Sequence, residues 1–169
     1  KGRLELESEL NPLSFNLSHS NNMIVLAVSN KQIGVDIEFI KKRNFLAIAK
    51  YFFTTKELSL LENEDSSLGS QKLFYAYWTI KEAFIKCNGE QLFNKSSMLE
   101  CSLNVKNKTI DNISDKNYHL ATLQIYEDYI MSIVLRPEDA SFVMPKFFVI
   151  EKTVDFKSSE KLCFPVLFS

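Results

Sequence analysis

The chain has 169 residues, 46% of them hydrophobic, and its 20 basic and 21 acidic side chains leave a net charge of −1. That length suits one domain with a good core, and that balance excludes a disordered chain and offers no basic excess to a nucleic acid. No apolar run reaches the length that spans a bilayer, no signal-peptide pattern opens the chain, and Cys87, Cys101 and Cys163 are scattered without metal-ligand spacing, as free thiols of a reducing cytoplasm are.

Leu13 to Ser18 alternates apolar and polar residues like a half-buried strand, and Met23 to Val28 is a continuous apolar run that suits a buried one. Ser20, Asn21 and Asn22 between them have turn chemistry, which puts Ser18 and His19 at a strand end. Ser29 to Lys31 makes the next turn, and Ile33 to Glu38 reads as a third strand. Asp36 and Glu38 are two apart, so both carboxylates leave the same face of it. Such a pair repels itself unless a cation or a proton lies between the two groups. On their own the two fit an exposed strand end as well as a metal site.

Lys41, Lys42 and Arg43 form a basic cluster directly before an amphipathic run, Phe45 to Phe53. Basic charge beside an aromatic face suits an acidic helical partner, and equally a solvated charge run over a core helix. Thr54 to Glu57 has the pattern of a capping box and starts a short helix. Glu62 to Gly69 is polar and acidic and reads as a loop. The main helix is predicted over residues 70–88, with Ser70 as its N-cap and Gly89 as its left-handed stop. Leu73, Phe74, Tyr77, Ile80 and Phe84 mark its buried face. Trp78, Glu82 and Lys86 are four apart and stack on a neighbouring face. By spacing alone, Glu82 and Lys86 are most simply a surface pair worth a few tenths of a kcal/mol. Beside Asp36 and Glu38, however, Glu82 makes a third acid able to converge on one hard cation. Oxygen ligands favour Mg²⁺ or Mn²⁺.

After Gly89 strands take over. Leu99 to Val105 alternates, Lys106 to Lys116 reads as a polar loop, and His119 to Tyr126 pairs with Tyr129 to Leu135 as a hairpin across Glu127 and Asp128. Phe142 to Ile150 and Lys161 to Phe168 are two further strand-like runs. The architecture expected is α+β: an antiparallel sheet with helices packed against one face, over residues 1–140. Residues 141–169 then form an extension of added strands covering an edge or an oligomer contact.

Gly34 to Glu38 (Gly-Val-Asp-Ile-Glu), followed by Trp78 to Lys86 (Trp-x-x-Lys-Glu-Ala-x-x-Lys), resembles the paired signature of the 4′-phosphopantetheinyl transferases. Ser-His-Ser at 18–20 resembles their third motif, in the order used by the surfactin-synthetase-activating (Sfp) type. The resemblance covers residues 1–135 and is specific in its two long motifs. It implies transfer of phosphopantetheine from coenzyme A to a serine of an acyl or peptidyl carrier protein, with release of 3′,5′-adenosine bisphosphate. It implies Mg²⁺, or Mn²⁺, on Asp36, Glu38 and Glu82, with Glu82 also taking the serine proton, directly or through a water. It puts Lys86 on the leaving phosphate, Ser18 and His19 on phosphate oxygens, and Lys81 on another phosphate or on the partner. Trp78 is a packing residue that orients this face. Lys1 to Arg3 resembles the segment near the adenine, which adds Arg3 to the coenzyme contacts; the pattern departs at Leu4, where proline is usual.

The Sfp type is built from two similar halves with the cofactor between them. This chain resembles the second half and its linker. A fragment, or a processed or split protein, is therefore expected, which works alone, pairs with a separate first half or self-associates to rebuild the cleft. Neither nucleic acid nor membrane is an expected partner. Two other classes of function stay open: a carrier- or partner-binding module without turnover, and a Mg²⁺-dependent nucleotide hydrolase.

Overall fold

The computed structural model describes residues 5, 6, 13–89, 100–104, 109–113, 118–136 and 147–151. In chain order these form β1 (Glu5–Leu6), β2 (Leu13–Ser20), β3 (Met23–Ser29), β4 (Gln32–Phe39), α1 (Phe45–Phe52), α2 (Thr55–Glu62), α3 (Ser67–Asn88), β5 (Cys101–Asn104), β6 (Thr109–Ile113), β7 (His119–Ile125), β8 (Tyr129–Arg136) and β9 (Phe147–Glu151). The class is α+β and every strand pair is antiparallel. The strands make three sheets rather than the single one expected, ordered β1-β2-β3-β9, β4-β8-β7 and β5-β6. The reason lies in β3 and β4. They are consecutive, but instead of pairing they turn apolar faces toward each other. Met23, Val25 and Ala27 of β3 bury against Ile33, Val35 and Ile37 of β4 and Leu123, Met131, Ile133 and Leu135 of β7 and β8.

Helix α3 covers the other face of the β4-β8-β7 sheet. Its Phe74, Tyr77, Ile80, Ala83 and Phe84 pack with Ile130 and Val134, and Ala49 of α1 and Leu61 of α2 join the same cluster. The helix starts at Ser67, a turn's length before the expected Ser70, because the Ser66 hydroxyl accepts the Gly69 N–H at 2.9 Å. It ends where expected, at Gly89, whose φ of 69° lies in the left-handed region. The capping box of α2 is present: Thr54 Oγ1 accepts the Glu57 N–H, and a Glu57 carboxylate oxygen accepts the Thr54 N–H. Gly34 faces α3 directly. A Cβ placed there would stand 1.9 Å from the Ala83 carbonyl oxygen and 2.6 Å from the Cys87 nitrogen.

Two expectations change, and the strand expected within Phe142 to Ile150 is present in part. Thr109–Ile113 is strand β6, paired with β5, inside the stretch read as a polar loop; its β-branched Thr109, Ile110 and Ile113 favour strand over loop. Phe147–Glu151 forms β9, which pairs with β3 as an edge of the first sheet; Lys161 to Phe168 lies outside the described residues. In β2 the alternation is present but the polar members face inward. Leu13 and Leu17 are 40% and 52% exposed, whereas Ser18 is buried.

Candidate active site

The inward polar face of β2 has a task. Strand β4 borders its sheet on one side only, so its outward N–H groups need partners from elsewhere. Asn16 Oδ1 accepts the Val35 N–H at 3.1 Å, Ser18 Oγ the Ile37 N–H at 3.2 Å, and Ser20 Oγ the Phe39 N–H at 3.0 Å. The same two hydroxyls donate to the carboxylates in between, Ser18 to Asp36 Oδ1 at 2.8 Å and Ser20 to Glu38 Oε2 at 3.0 Å.

Strand alternation sends Ile33, Val35 and Ile37 into the core and leaves Gly34, Asp36 and Glu38 on the α3 side. Close packing at Gly34 brings α3 over them. Lys86 Nζ reaches Asp36 Oδ1 at 2.7 Å, Ser18 Oγ at 3.1 Å and the Val35 carbonyl at 3.2 Å. Those are the three donors an ammonium has. Asp36 is buried, and burial holds its carboxyl above the usual range, opposed first by the charge of Lys86 and then by the Lys86 and Ser18 hydrogen bonds. Glu82, one turn before Lys86, is pushed up to about 7. Burial is the largest cause, then the charge of Asp36, with Glu38 adding to it and Lys86 opposing. The three carboxylates therefore lie in one another's field.

Among the described residues, no three His, Cys, Asp or Glu side chains stand close enough as placed to hold a metal ion. Two observations nonetheless fit a hard cation at this place. Asp36 Oδ2 is buried without a hydrogen-bond partner, and the surrounding acids supply oxygen donors only. Lys86 supplies the positive charge at Asp36 in this state.

A pH dependence follows. The folded state holds the Glu82 proton more tightly than an unfolded chain, whose carboxyl titrates near 4.5. The associated stability is full below about 4.5 and is lost as pH rises through about 7. Melting curves in EDTA should therefore show a midpoint that falls between pH 5 and pH 8, and Glu82→Gln should flatten that fall. Asp36 acts in the same direction and remains in the variant, so some slope survives. Equal slopes in the two proteins would sink the argument.

The remaining predicted site residues are placed as follows. Lys81 does not face this group. It is 3% exposed and ion-paired at 2.9 Å with Glu57, itself 1% exposed, so the expected phosphate contact gives way to a buried pair. Packing decides this: Lys81 leaves α3 toward α2, between Phe53 and Cys101, instead of toward β4. Ser18 is at the site, its hydroxyl donating to Asp36 Oδ1 at 2.8 Å. Lys86 is ion-paired with Asp36 at 2.7 Å. His19 is exposed and leaves β2 on the face opposite Ser18. Trp78 packs edge-on against Phe52 and stacked on Phe74. Arg43 leaves the basic cluster and lies over Phe74 and Tyr75, 5.5 and 5.2 Å from the ring centres; Lys41 and Lys42 stay exposed. Arg3 lies outside the described residues. Asn16 has no role in the sequence reading, Ser20 appears there only in its turn and motif, and Glu57 only in its capping box. Polar residues at every second position, 16, 18 and 20, were the available signal for the first two.

An α+β fold that sets Asp36 and Glu38 on one face of β4, ties Lys86 of α3 to Asp36 and keeps Glu82 within the field of both acids makes an acidic site. The model of the 4′-phosphopantetheinyl transferase superfamily matches residues 32–134, and the chain belongs to that superfamily. It is 42% identical over 80 residues to the 4′-phosphopantetheinyl transferase HetI of Nostoc sp. strain PCC 7120, covering 46% of this chain and 33% of that protein. It is 41% identical over 78 residues to the 4′-phosphopantetheinyl transferase Sfp of Bacillus subtilis strain 168, covering 46% and 34%. To the 4′-phosphopantetheinyl transferase AcpT of Salmonella typhimurium strain LT2 it is 36% identical over 110 residues, covering 61% and 56%. The chain thus spans about a third of the length of HetI and Sfp. No helix among the described residues is long and apolar enough to cross a membrane. Cys87 and Cys101 are buried, and the Cys87 thiol donates to the Gln32 carbonyl oxygen at 3.4 Å.

Proposed function

We propose that this chain carries the catalytic acids of a 4′-phosphopantetheinyl transferase, which moves phosphopantetheine from coenzyme A to a serine of an acyl or peptidyl carrier protein. The observation that carries the reading is the pair Asp36 and Glu38 on one face of β4, tied to Ser18, Ser20 and Lys86 with Glu82 in their field, in a chain of this superfamily. Asp36, Glu38 and Glu82 would hold a Mg²⁺ ion, which when bound neutralises phosphate charge in the transition state.

The chain's own residues do the rest. The serine oxygen forms a bond to the phosphorus nearer pantetheine, the bond from that phosphorus to the bridging oxygen breaks, and 3′,5′-adenosine bisphosphate leaves. The serine proton passes to Glu82, directly or through a water; a cation on Glu82 lowers its pKa and weakens it as a direct base, which favours the water route. Lys86 supplies positive charge at the leaving group, with Ser18 as an alternative partner for its ammonium. His19, exposed at the end of β2, is available to a phosphate oxygen. The exposed Lys41 and Lys42, with exposed Leu46 and Tyr51 on α1, suit an acidic helical carrier.

The test is the intact mass of an apo carrier protein after incubation with the chain, coenzyme A and Mg²⁺, beside a Glu82→Ala control. A gain of one phosphopantetheine that the control lacks is expected. Consumption of coenzyme A without any carrier would point to hydrolysis instead. No gain by the folded chain, alone or with the first half of a relative such as Sfp added, would leave a binding module and sink the transferase reading.

A further inference from the structure

Two hydrogen bonds at the site repeat with the same offset. Ser18 donates to Asp36 and Ser20 to Glu38, while each hydroxyl accepts the N–H of the residue that follows its carboxylate. Two residues along β2 correspond to two along β4, so the strands run in the same direction and are joined by side chains in place of a backbone ladder. A slip of one residue along β2 would put Leu17 and His19 where the two serines stand. Ser18 is also tied to Lys86, but the bonds of Ser20 concern Glu38 and its strand alone. Glu38 lies near the end of β4 and is only partly buried, where a carboxylate on a flexible stem otherwise samples many rotamers.

We propose that Ser20 is a positioning residue: its hydroxyl fixes Glu38 Oε2 and so holds the carboxylate on the strand face it shares with Asp36. The proposal rests on reading Asp36, Glu38 and Glu82 as cation ligands. Groups that orient a ligand in this way typically change metal affinity by about 10- to 100-fold when removed. A methyl group at position 20 removes both the donor to Glu38 and the acceptor for Phe39; threonine keeps both and suits a strand.

The probe is Mn²⁺ alone, titrated into the full chain and followed through the paramagnetic resonance signal of the free ion. Ser20→Ala should weaken binding about tenfold, and Ser20→Thr should bind within about twofold of the unaltered chain. Melting midpoints in EDTA measure the purely structural share of the bonds, so the affinity change must exceed what a shared loss of stability explains. Equal affinity in Ser20→Ala and the unaltered chain overturns the positioning role and leaves the cation reading standing. So does a Ser20→Thr variant as weak as Ser20→Ala. An unaltered chain that takes up no Mn²⁺, with the same curve as Asp36→Asn, overturns the cation reading and this proposal with it.

Discussion

Gly34→Ala is expected to unfold the chain or bring it to the edge of unfolding. The added methyl would lie 1.9 Å from the Ala83 carbonyl oxygen and 2.6 Å from the Cys87 nitrogen. Both are backbone atoms of α3, so no side-chain rotation relieves the clash; strand and helix must separate. Ordinary overpacking costs about 1–3 kcal/mol. Forcing two main chains apart across a core that includes Phe74, Tyr77 and Ile80, all with no exposed surface, goes beyond that range. A loss above about 4 kcal/mol is expected, against a total stability of about 5–15 kcal/mol for a domain. Urea unfolding followed by tryptophan fluorescence measures it, Trp78 being the sole tryptophan. A midpoint within experimental error of the unaltered chain would refute the close-approach argument. Any folded fraction should also show weakened contact between Lys86 and Asp36, because the 2.7 Å bond across the two elements depends on the same approach.

That glycine shows why much of the site was legible in the sequence. Gly34, Asp36, Glu38, Glu82 and Lys86 lie on two elements whose periods fix their faces, and the strand and helix signals were both strong. What the sequence did not reveal depends on partners distant along the chain. Alternation in β2 marks a strand but not which face is inside. There, burial follows the needs of the β4 edge, so Ser18 is buried and Leu17 is exposed. Spacing put Lys81 on α3 without saying what it would meet, because Glu57 belongs to another helix. The capping box around Glu57 was visible, but it accounted for that carboxylate locally and hid its second use. Thr109 to Ile113 read as a loop because its strand partner, β5, is four residues long and carried a weak pattern of its own.

Lys81→Met should cost about 3–5 kcal/mol, the range found when one partner of a buried ion pair is removed. Lys81 Nζ lies 2.9 Å from Glu57 Oε2 and 3.0 Å from Oε1, with both side chains almost wholly buried. Without the ammonium, Glu57 keeps a charge inside the protein. Its remaining partners are the Thr54 N–H at 2.9 Å and the Cys101 N–H at the long distance of 3.5 Å. Those are too few for an ionised carboxylate, and its neighbours include Cys101, whose thiol burial pushes up to about 12, with the Glu57 charge adding to that effect. Adding Glu57→Gln to Lys81→Met should recover most of the loss, since the amide oxygen can still accept the Thr54 N–H and no charge is left unpaired. Glu57→Gln alone should destabilise, because the ammonium then lacks its counterion. A double-mutant cycle read by chemical unfolding isolates the coupling. The measurement also separates the two roles considered for Lys81. A lysine that met phosphate would lower coenzyme A affinity in Lys81→Met and leave stability unchanged, and that result would overturn the structural role; a large loss of stability recovered in the double variant assigns Lys81 to the scaffold that holds α2 against α3.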